Sequence, residues 1–233
     1  MNIKRTSGTI KKITDLSPTA KEILITLDTP LDFTAGSFVN VFMNINGEKV
    51  RRAYSISSND TEQQSITIAM RLSPEGKMSP LFWKNNLVGE KLEIMGPLGL
   101  NTAEKMHHEK IYLFAFGVGA GVVKSLAGHF SKSDRIREIV IMTGSRSEEE
   151  ILYKDYFDDL ANKKEKVKVS YLISKPKELS SFKKGYLQDN IEDFDFNESD
   201  VYVCGQEAAC NELVEKIKDT NPTDCDFFIE GFH

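Results

Sequence analysis

The property that most restricts the fold of this chain is a change of rhythm near Ile111. Between residues 7 and 72, apolar and polar positions alternate in short runs interrupted by Pro18, Pro30, Gly36 and Gly47. Such alternation belongs to strands with one buried face, and residues 9–13, 22–27, 38–43 and 65–70 all carry it. A last strand over 90–95 completes the set, and several short strands joined by turns predict a small antiparallel β-barrel. Beyond Ile111, continuous apolar runs alternate with helical segments, the signature of a parallel sheet covered on both faces. The predicted organisation is an antiparallel barrel over 1–100, a polar linker over 101–109 and a parallel α/β domain over 110–233. Gly96-Pro97-Leu98-Gly99 is expected to end regular structure ahead of the linker.

Composition excludes several classes. A 233-residue chain with 40% hydrophobic residues can build a core in each half. No apolar run approaches the ~20 residues of a membrane-spanning helix, and no basic segment leads into an apolar one at the start. Cys204, Cys210 and Cys225 fit neither a disulfide framework nor a zinc site, which suits a reducing cytoplasm. Three thiolates cannot ligate an iron–sulfur cluster that needs four. The net charge of -5 hides a slightly basic first part and an acidic second part, which argues against a nucleic-acid partner.

Two segments of the first part carry chemistry. Residues 51–58 read as a strand, Arg-Arg-Ala-Tyr-Ser-Ile-Ser-Ser, with Arg52, Tyr54 and Ile56 on one face and Ala53, Ser55 and Ser57 on the other. A guanidinium forks onto a pyrophosphate, a phenol ring lies against an isoalloxazine, and a hydroxyl reaches a ring nitrogen. A half-buried strand with a surface arginine is the plainer alternative. Further on, Gly76 and Ser79 precede a helical run from Met78 to about residue 86, where free backbone amides favour a phosphate. An N-cap serine at Ser79 is the alternative there.

The second part is punctuated by glycines at strand ends. The strand over 111–116 runs into Gly117-Val118-Gly119-Ala120-Gly121 and a helix to about Phe130, a turn against which a pyrophosphate can lie. A strand over 138–143 precedes Gly144-Ser145-Arg146, and a helix with an acidic first turn is predicted over 148–160. Ser174-Lys175 ends the strand over 167–173, and Lys184-Gly185-Tyr186 follows. A strand over 201–205 ends in Cys204-Gly205 before a helix over 207–218, and the strand over 225–233 contains Glu230-Gly231-Phe232. Adjacent side chains point apart and no third ligand lies nearby in sequence, so His107 and His108 are read as solvated linker residues, with no metal site.

Taken in order, these segments resemble the ferredoxin-NADP reductase superfamily. Arg52-Ala53-Tyr54-Ser55 is similar to its Arg-x-Tyr-Ser flavin motif, and the stretch from Met70 and Arg71 to Gly76-Lys77-Met78-Ser79 to its Gly-x-x-Ser motif. Gly117 to Val122 is similar to its Gly-Thr-Gly-Ile-Ala-Pro turn, although Val118 replaces the threonine and Val122 the proline. Gln206 likewise replaces the proline of Cys-Gly-Pro, and His233 extends a tail that in relatives stops at the aromatic.

The resemblance implies hydride transfer from NAD(P)H to FAD and onward release of electrons to an external acceptor such as ferredoxin or flavodoxin. It places Ser55, Cys204 and Glu230 at the reacting rings and Phe232 over the flavin as a lid. Gly117, Val118, Gly119, Gly121 and Gly205 would line the nicotinamide cofactor. Ser145, Arg146, Lys175, Lys184 and Tyr186 would take its adenosine end, with NADPH favoured over NADH. A reductase that uses free flavin or ferric chelates as substrate, and a flavin-binding regulatory module without nicotinamide turnover, are the alternatives.

Overall fold

A computed structural model describes residues 2–232, so the reading of His233 lies outside the described residues. The first half forms strands β1 (Lys4–Ser17), β2 (Ala20–Leu27), β3 (Phe38–Ile45), β4 (Glu48–Ser55) and β5 (Ser65–Arg71), a short helix α1 (Ser79–Lys84) and strand β6 (Lys91–Leu98). The sheet order is β4-β3-β6-β1-β2-β5, with every neighbouring pair antiparallel. Its two edges approach each other just past β4, where Ile56 bridges to Ile68 of β5 and curls the sheet into a barrel.

Every second residue of β2 and β5 points inward, so Ile23, Ile25, Ile66 and Ile68 meet Ile10, Val39, Val41 and Ile94 in a core closed to water. Burial of each such side chain contributes roughly 1.5–3 kcal/mol. Helix α1 joins that core through Phe82. One expectation fails here: β6 runs straight through Gly96 and Pro97 to Leu98. Gly96 pairs with Lys4 where a side chain would collide with Val39, so the glycine serves close strand packing rather than termination.

The second half comprises β7 (Lys110–Phe116), α2 (Ala120–Phe130), β8 (Glu138–Ser145), α3 (Lys154–Lys163), β9 (Val167–Ile173), β10 (Lys183–Lys184), β11 (Ser199–Gln206), α4 (Glu207–Asp219) and β12 (Cys225–Phe232). All pairs in the sheet β10-β9-β8-β7-β11-β12 are parallel. Alternate residues of central β7 feed opposite faces. Ile111, Leu113 and Ala115 pack under Val123, Leu126 and Phe130 of α2 and Phe157 of α3, whereas Tyr112 and Phe114 lie on the face covered by Leu213, Val214 and Ile217 of α4.

The helix expected over 148–160 starts later. Glu148–Glu150 makes a single 3-10 turn, and Tyr153 adopts a left-handed conformation with φ of +57° before α3 begins at Lys154. Leu152 and Tyr153 pack instead into the core beneath α2, so tertiary burial overrides the local helical pattern. Among the described residues no helix is long and apolar enough to cross a membrane.

The segment between the sheets is not a solvated tether. Thr102 and Ala103 are buried, Ala103 donates its N–H to the Ala35 carbonyl at 2.9 Å, and Asn101 Nδ2 donates to the Ile229 carbonyl at 2.5 Å. His108 is also enclosed, its side chain only 12% exposed, which corrects its reading as a linker residue in water.

Helix α2 fastens the halves together along one flank. Lys124 pairs with Glu22 at 2.9 Å, Ser125 donates to the Ser58 carbonyl at 2.8 Å, and His129 Nδ1 lies 2.6 Å from Asp60 Oδ2.

Candidate cofactor cleft

The parallel sheet brings its chemistry to the carboxyl ends of β7, β8, β11 and β12, where the chain order reverses on either side of β7. Open α/β sheets bind ligands at that crevice. Here the barrel stands over it, and a cleft of about 670 Å³ lies between Thr19, Ala20 and Arg71 on one side and Gly117, Val118, Ser145, Arg146, Tyr186 and Phe232 on the other.

Strand register places Cys204 of β11 between Ala115 of β7 and Glu230 of β12. Ser55, the last residue of β4, donates its hydroxyl to Glu230 Oε1 across the boundary between the sheets. Burial raises the Glu230 carboxyl from 4.5 to about 7, and the Ser55 hydroxyl offsets part of the rise. The Cys204 thiol, 2% exposed, is pushed well above its ordinary value by burial and next by the Glu230 charge. It stays protonated, so it is a small polarizable wall rather than a nucleophile.

On the barrel side, burial pushes the Tyr54 phenol up to about 12 against a smaller opposing pull from Arg52. The Tyr54 hydroxyl donates to Met78 Sδ at 3.6 Å. Arg52 and Ala53 are exposed, and the Arg52 guanidinium bonds only the Arg51 carbonyl at 2.7 Å among the described residues.

The packing defines the surroundings of the other expected cofactor residues. Met70 and Met78 are each 1% exposed as whole residues, enclosed in the barrel core. Ser79 is the first residue of α1 rather than its cap, and its hydroxyl accepts the Ser73 N–H at 2.9 Å. Gly76 closes the same turn by donating to the Ser73 carbonyl at 2.9 Å, and Lys77 is spent on Glu48 at 2.6 Å.

The glycines of the 117–121 turn have separate reasons. Gly117 has φ of +55°, which favours glycine. A Cβ on Gly119 would enter the Cys204 carbonyl, and one on Gly121 would come within 2.9 Å of Ala69 Cβ on the barrel. Residues 117–119 form a 3-10 turn, so α2 itself starts at Ala120. Gly205, with φ of +142°, lets the end of β11 pass within reach of the Phe116 carbonyl.

Lys175 and Lys184 lie outside the cleft lining. The backbone N–H of Lys175 is held by the Arg146 carbonyl at 2.9 Å, and Lys184 is exposed on the two-residue strand β10. Glu150 and Gln188 are cleft residues that no sequence motif marks. Glu150 Oε2 accepts from Ser17 and Thr19 at 2.8 Å each, closing the cleft from the barrel side, and nothing local in an acidic turn marked it. Gln188 lines the cleft with a buried Oε1 that has no partner among the described residues. The Arg71 guanidinium faces Gly117, where a Cβ would lie 3.4 Å from Nη1.

The charges fit phosphorylated ligands. Arg52, Arg71, Arg146, Lys175 and Lys184 make no ion pair among the described residues, although ion pairs elsewhere on the surface are plentiful. Of these, Arg71 and Arg146 line the crevice together with the glycine turn and Phe232, a lining that matches the polyanionic tail and flat rings of a dinucleotide.

Barrel, parallel sheet and intervening cleft define the class of two-domain flavin- and nicotinamide-dependent oxidoreductases. The family model for the oxidoreductase FAD-binding domain matches residues 7–102, and that for the oxidoreductase NAD-binding domain matches residues 113–215. The chain belongs to this family of ferredoxin-reductase-like oxidoreductases. It is 28% identical over 74% of its length to 49% of the glycine betaine monooxygenase reductase subunit of Pseudomonas aeruginosa. It is 24% identical over 97% of its length to 65% of the reductase component of phenol 2-monooxygenase from a Pseudomonas species. The chain thus spans between about half and two thirds of these curated relatives. A ferredoxin NADP+ reductase from Neisseria gonorrhoeae, solved with bound FAD and NADP, shares the fold with a TM-score of 0.84 at 16% identity, covering 98% of each chain.

Proposed function

We propose that this protein passes a hydride from NAD(P)H to FAD and delivers the electrons to an external acceptor protein. The observation that carries the reading is the Ser55–Glu230 hydrogen bond, which joins the flavin-motif strand to the strand beside Cys204 and so fixes one reaction point between two lobes. The bound cofactors supply the redox chemistry, and the protein aligns them and excludes water.

In this reading Arg52 and the backbone of the Gly76–Ser79 turn hold the flavin pyrophosphate, and Tyr54 packs along the isoalloxazine. Gly117 and Val118 meet the nicotinamide half from below, with Arg71 reaching over from the barrel. Ser145, Arg146 and Tyr186 receive the adenosine end, Lys175 and Lys184 add positive charge for a 2'-phosphate, and Phe232 covers the flavin until nicotinamide displaces it. Near neutrality Glu230 exchanges its proton readily. In the acid form it donates to Ser55, which frees the serine hydrogen to point at a ring atom, and in the ionised form it draws that hydrogen back. Cys204 keeps the wall beside the nicotinamide small.

The proteins named as reductase components of monooxygenases favour a protein acceptor, and ferredoxin or flavodoxin is the acceptor class tested first. The test is anaerobic rapid mixing of the yellow holoprotein with NADPH and, separately, NADH. Bleaching of the flavin colour, faster with NADPH, is expected, followed by recolouring when oxidised ferredoxin or flavodoxin is added. Absence of bleaching with either donor refutes hydride transfer. Bleaching with reoxidation by free flavin alone, together with loss of flavin on gel filtration, replaces the protein acceptor by a flavin substrate.

A further inference from the structure

At the end of the parallel sheet opposite the cleft, β11 and β12 begin among three carboxylates, Asp200, Asp224 and Asp226. Asp200 stands beside Asp226 in the same register that sets Cys204 beside Glu230. The segment joining the two sheets passes over them and adds two imidazoles. His107 Nδ1 lies 2.6 Å from Asp226 Oδ2, His108 Nδ1 lies 2.7 Å from Asp200 Oδ1, and His108 Nε2 lies 3.3 Å from Asp224 Oδ2. Asp200 is wholly buried, and its Oδ2 accepts the backbone N–H groups of His107 and His108 at 2.7 and 3.2 Å.

Among the described residues these carboxylates form ion pairs with the histidines alone, and no lysine or arginine reaches them. Arg135 approaches but spends its guanidinium on the His107 carbonyl. Three acids around two imidazoles, one acid out of water altogether, leave a concentration of negative charge that a cation relieves.

The donors are already gathered. One ring nitrogen of His107 and one oxygen from each of Asp200 and Asp226 lie within 4.8 Å of one another. Donors that share an ion at about 2.0–2.2 Å sit roughly 3–4 Å apart, so small side-chain rotations admit one. The His107 side chain is 66% exposed, which leaves room for water to complete the shell. One imidazole with two carboxylates is a mixed nitrogen and oxygen set that suits Zn²⁺, whereas Mg²⁺ prefers oxygen alone.

We propose that His107, Asp200 and Asp226 bind one borderline divalent cation of the Zn²⁺ kind, clamping the inter-sheet segment to the base of β11 and β12. His108 is the positioning residue, holding Asp200 through one ring nitrogen and Asp224 through the other. The site is separate from hydride transfer, since it lies at the far end of the strands that carry Cys204 and Glu230.

The test is calorimetric titration of chelator-treated holoprotein with ZnCl2 at neutral pH, beside MgCl2, for the parent and for His107→Ala and Asp226→Asn. Expected are one Zn²⁺ per chain and a Zn²⁺-dependent rise in melting temperature, both weakened at least about tenfold in affinity terms by either substitution. Flavin bleaching by NADPH should proceed in His107→Ala at the parental rate, so the result is read independently of the cleft. No stoichiometric uptake by the parent, uptake that both variants retain, or tighter binding of Mg²⁺ than Zn²⁺ each overturns the assignment.

Discussion

The Ser55 hydroxyl, at the last position of β4, donates to Glu230 Oε1 on β12, so one hydrogen bond spans the two sheets at the point where Cys204 lies alongside. Glu230 holds its proton to about pH 7, whereas its usual value is 4.5. As pH rises from 4.5 to 7 the unfolded chain ionises first, so stability contributed by this group falls across that window and stays low above it. Glu230→Gln removes the penalty. It is expected to stabilise the protein by on the order of 1–3 kcal/mol at about pH 8 and by little at about pH 5. Urea midpoints at the two pH values decide the matter, and identical slopes for parent and variant would assign the titration to another group.

Ser55→Ala tests the catalytic role proposed for the same pair. The side chain reaches no other partner among the described residues, so its loss leaves the barrel intact. Hydride transfer in a single turnover is expected to slow by about tenfold or more while flavin stays bound, the effect of losing one directed hydrogen bond. An unchanged bleaching rate refutes the role.

On the proposed function, coenzyme choice is read by Arg146 and Lys184, cations without carboxylate partners among the described residues. Arg146→Ala combined with Lys184→Ala is expected to raise KM for NADPH by about tenfold to a hundredfold, the range of one or two charge-assisted hydrogen bonds. KM for NADH should change less than about threefold. Steady-state assays with both donors measure the ratio, and equal losses for the two would show that these residues do not read the 2'-phosphate.

Two glycine substitutions separate packing within the parallel sheet from packing against the barrel. Gly119→Ala drives a methyl into the Cys204 backbone, which cannot yield, and is expected to cost more than about 3 kcal/mol. Gly121→Ala presses on Ala69 at 2.9 Å and Ser57 at 3.2 Å across the lobe boundary, and about 1–3 kcal/mol is expected. Thermal melts that rank them in the reverse order would contradict the contacts described.

Both sheets were legible because hydrophobic period is a property of neighbouring residues. The alternation along β2 and β5 and the apolar run of β7 survive any tertiary context, since one period suits a half-buried strand and the other a fully buried one. Misreadings arose where a distant partner set the local structure. Gly96 sits within a strand because Val39 crowds it, Tyr153 interrupts a helix because the core beneath α2 claims it, and His108 is enclosed by acids nearly a hundred positions away. The cleft was partly legible for the same reason. Gly117 answers to its own backbone, whereas Glu150 matters only through Ser17 and Thr19 on the other lobe.

Helix α2 starts at the glycine turn on the cleft floor and is bolted along its side to the barrel through Lys124, Ser125 and His129. A body braced in this way cannot part its halves like jaws without first giving up that whole seam. On the proposed function, entry to the reaction point then falls to the swing of a single ring, Phe232, a turnstile rather than a hinge.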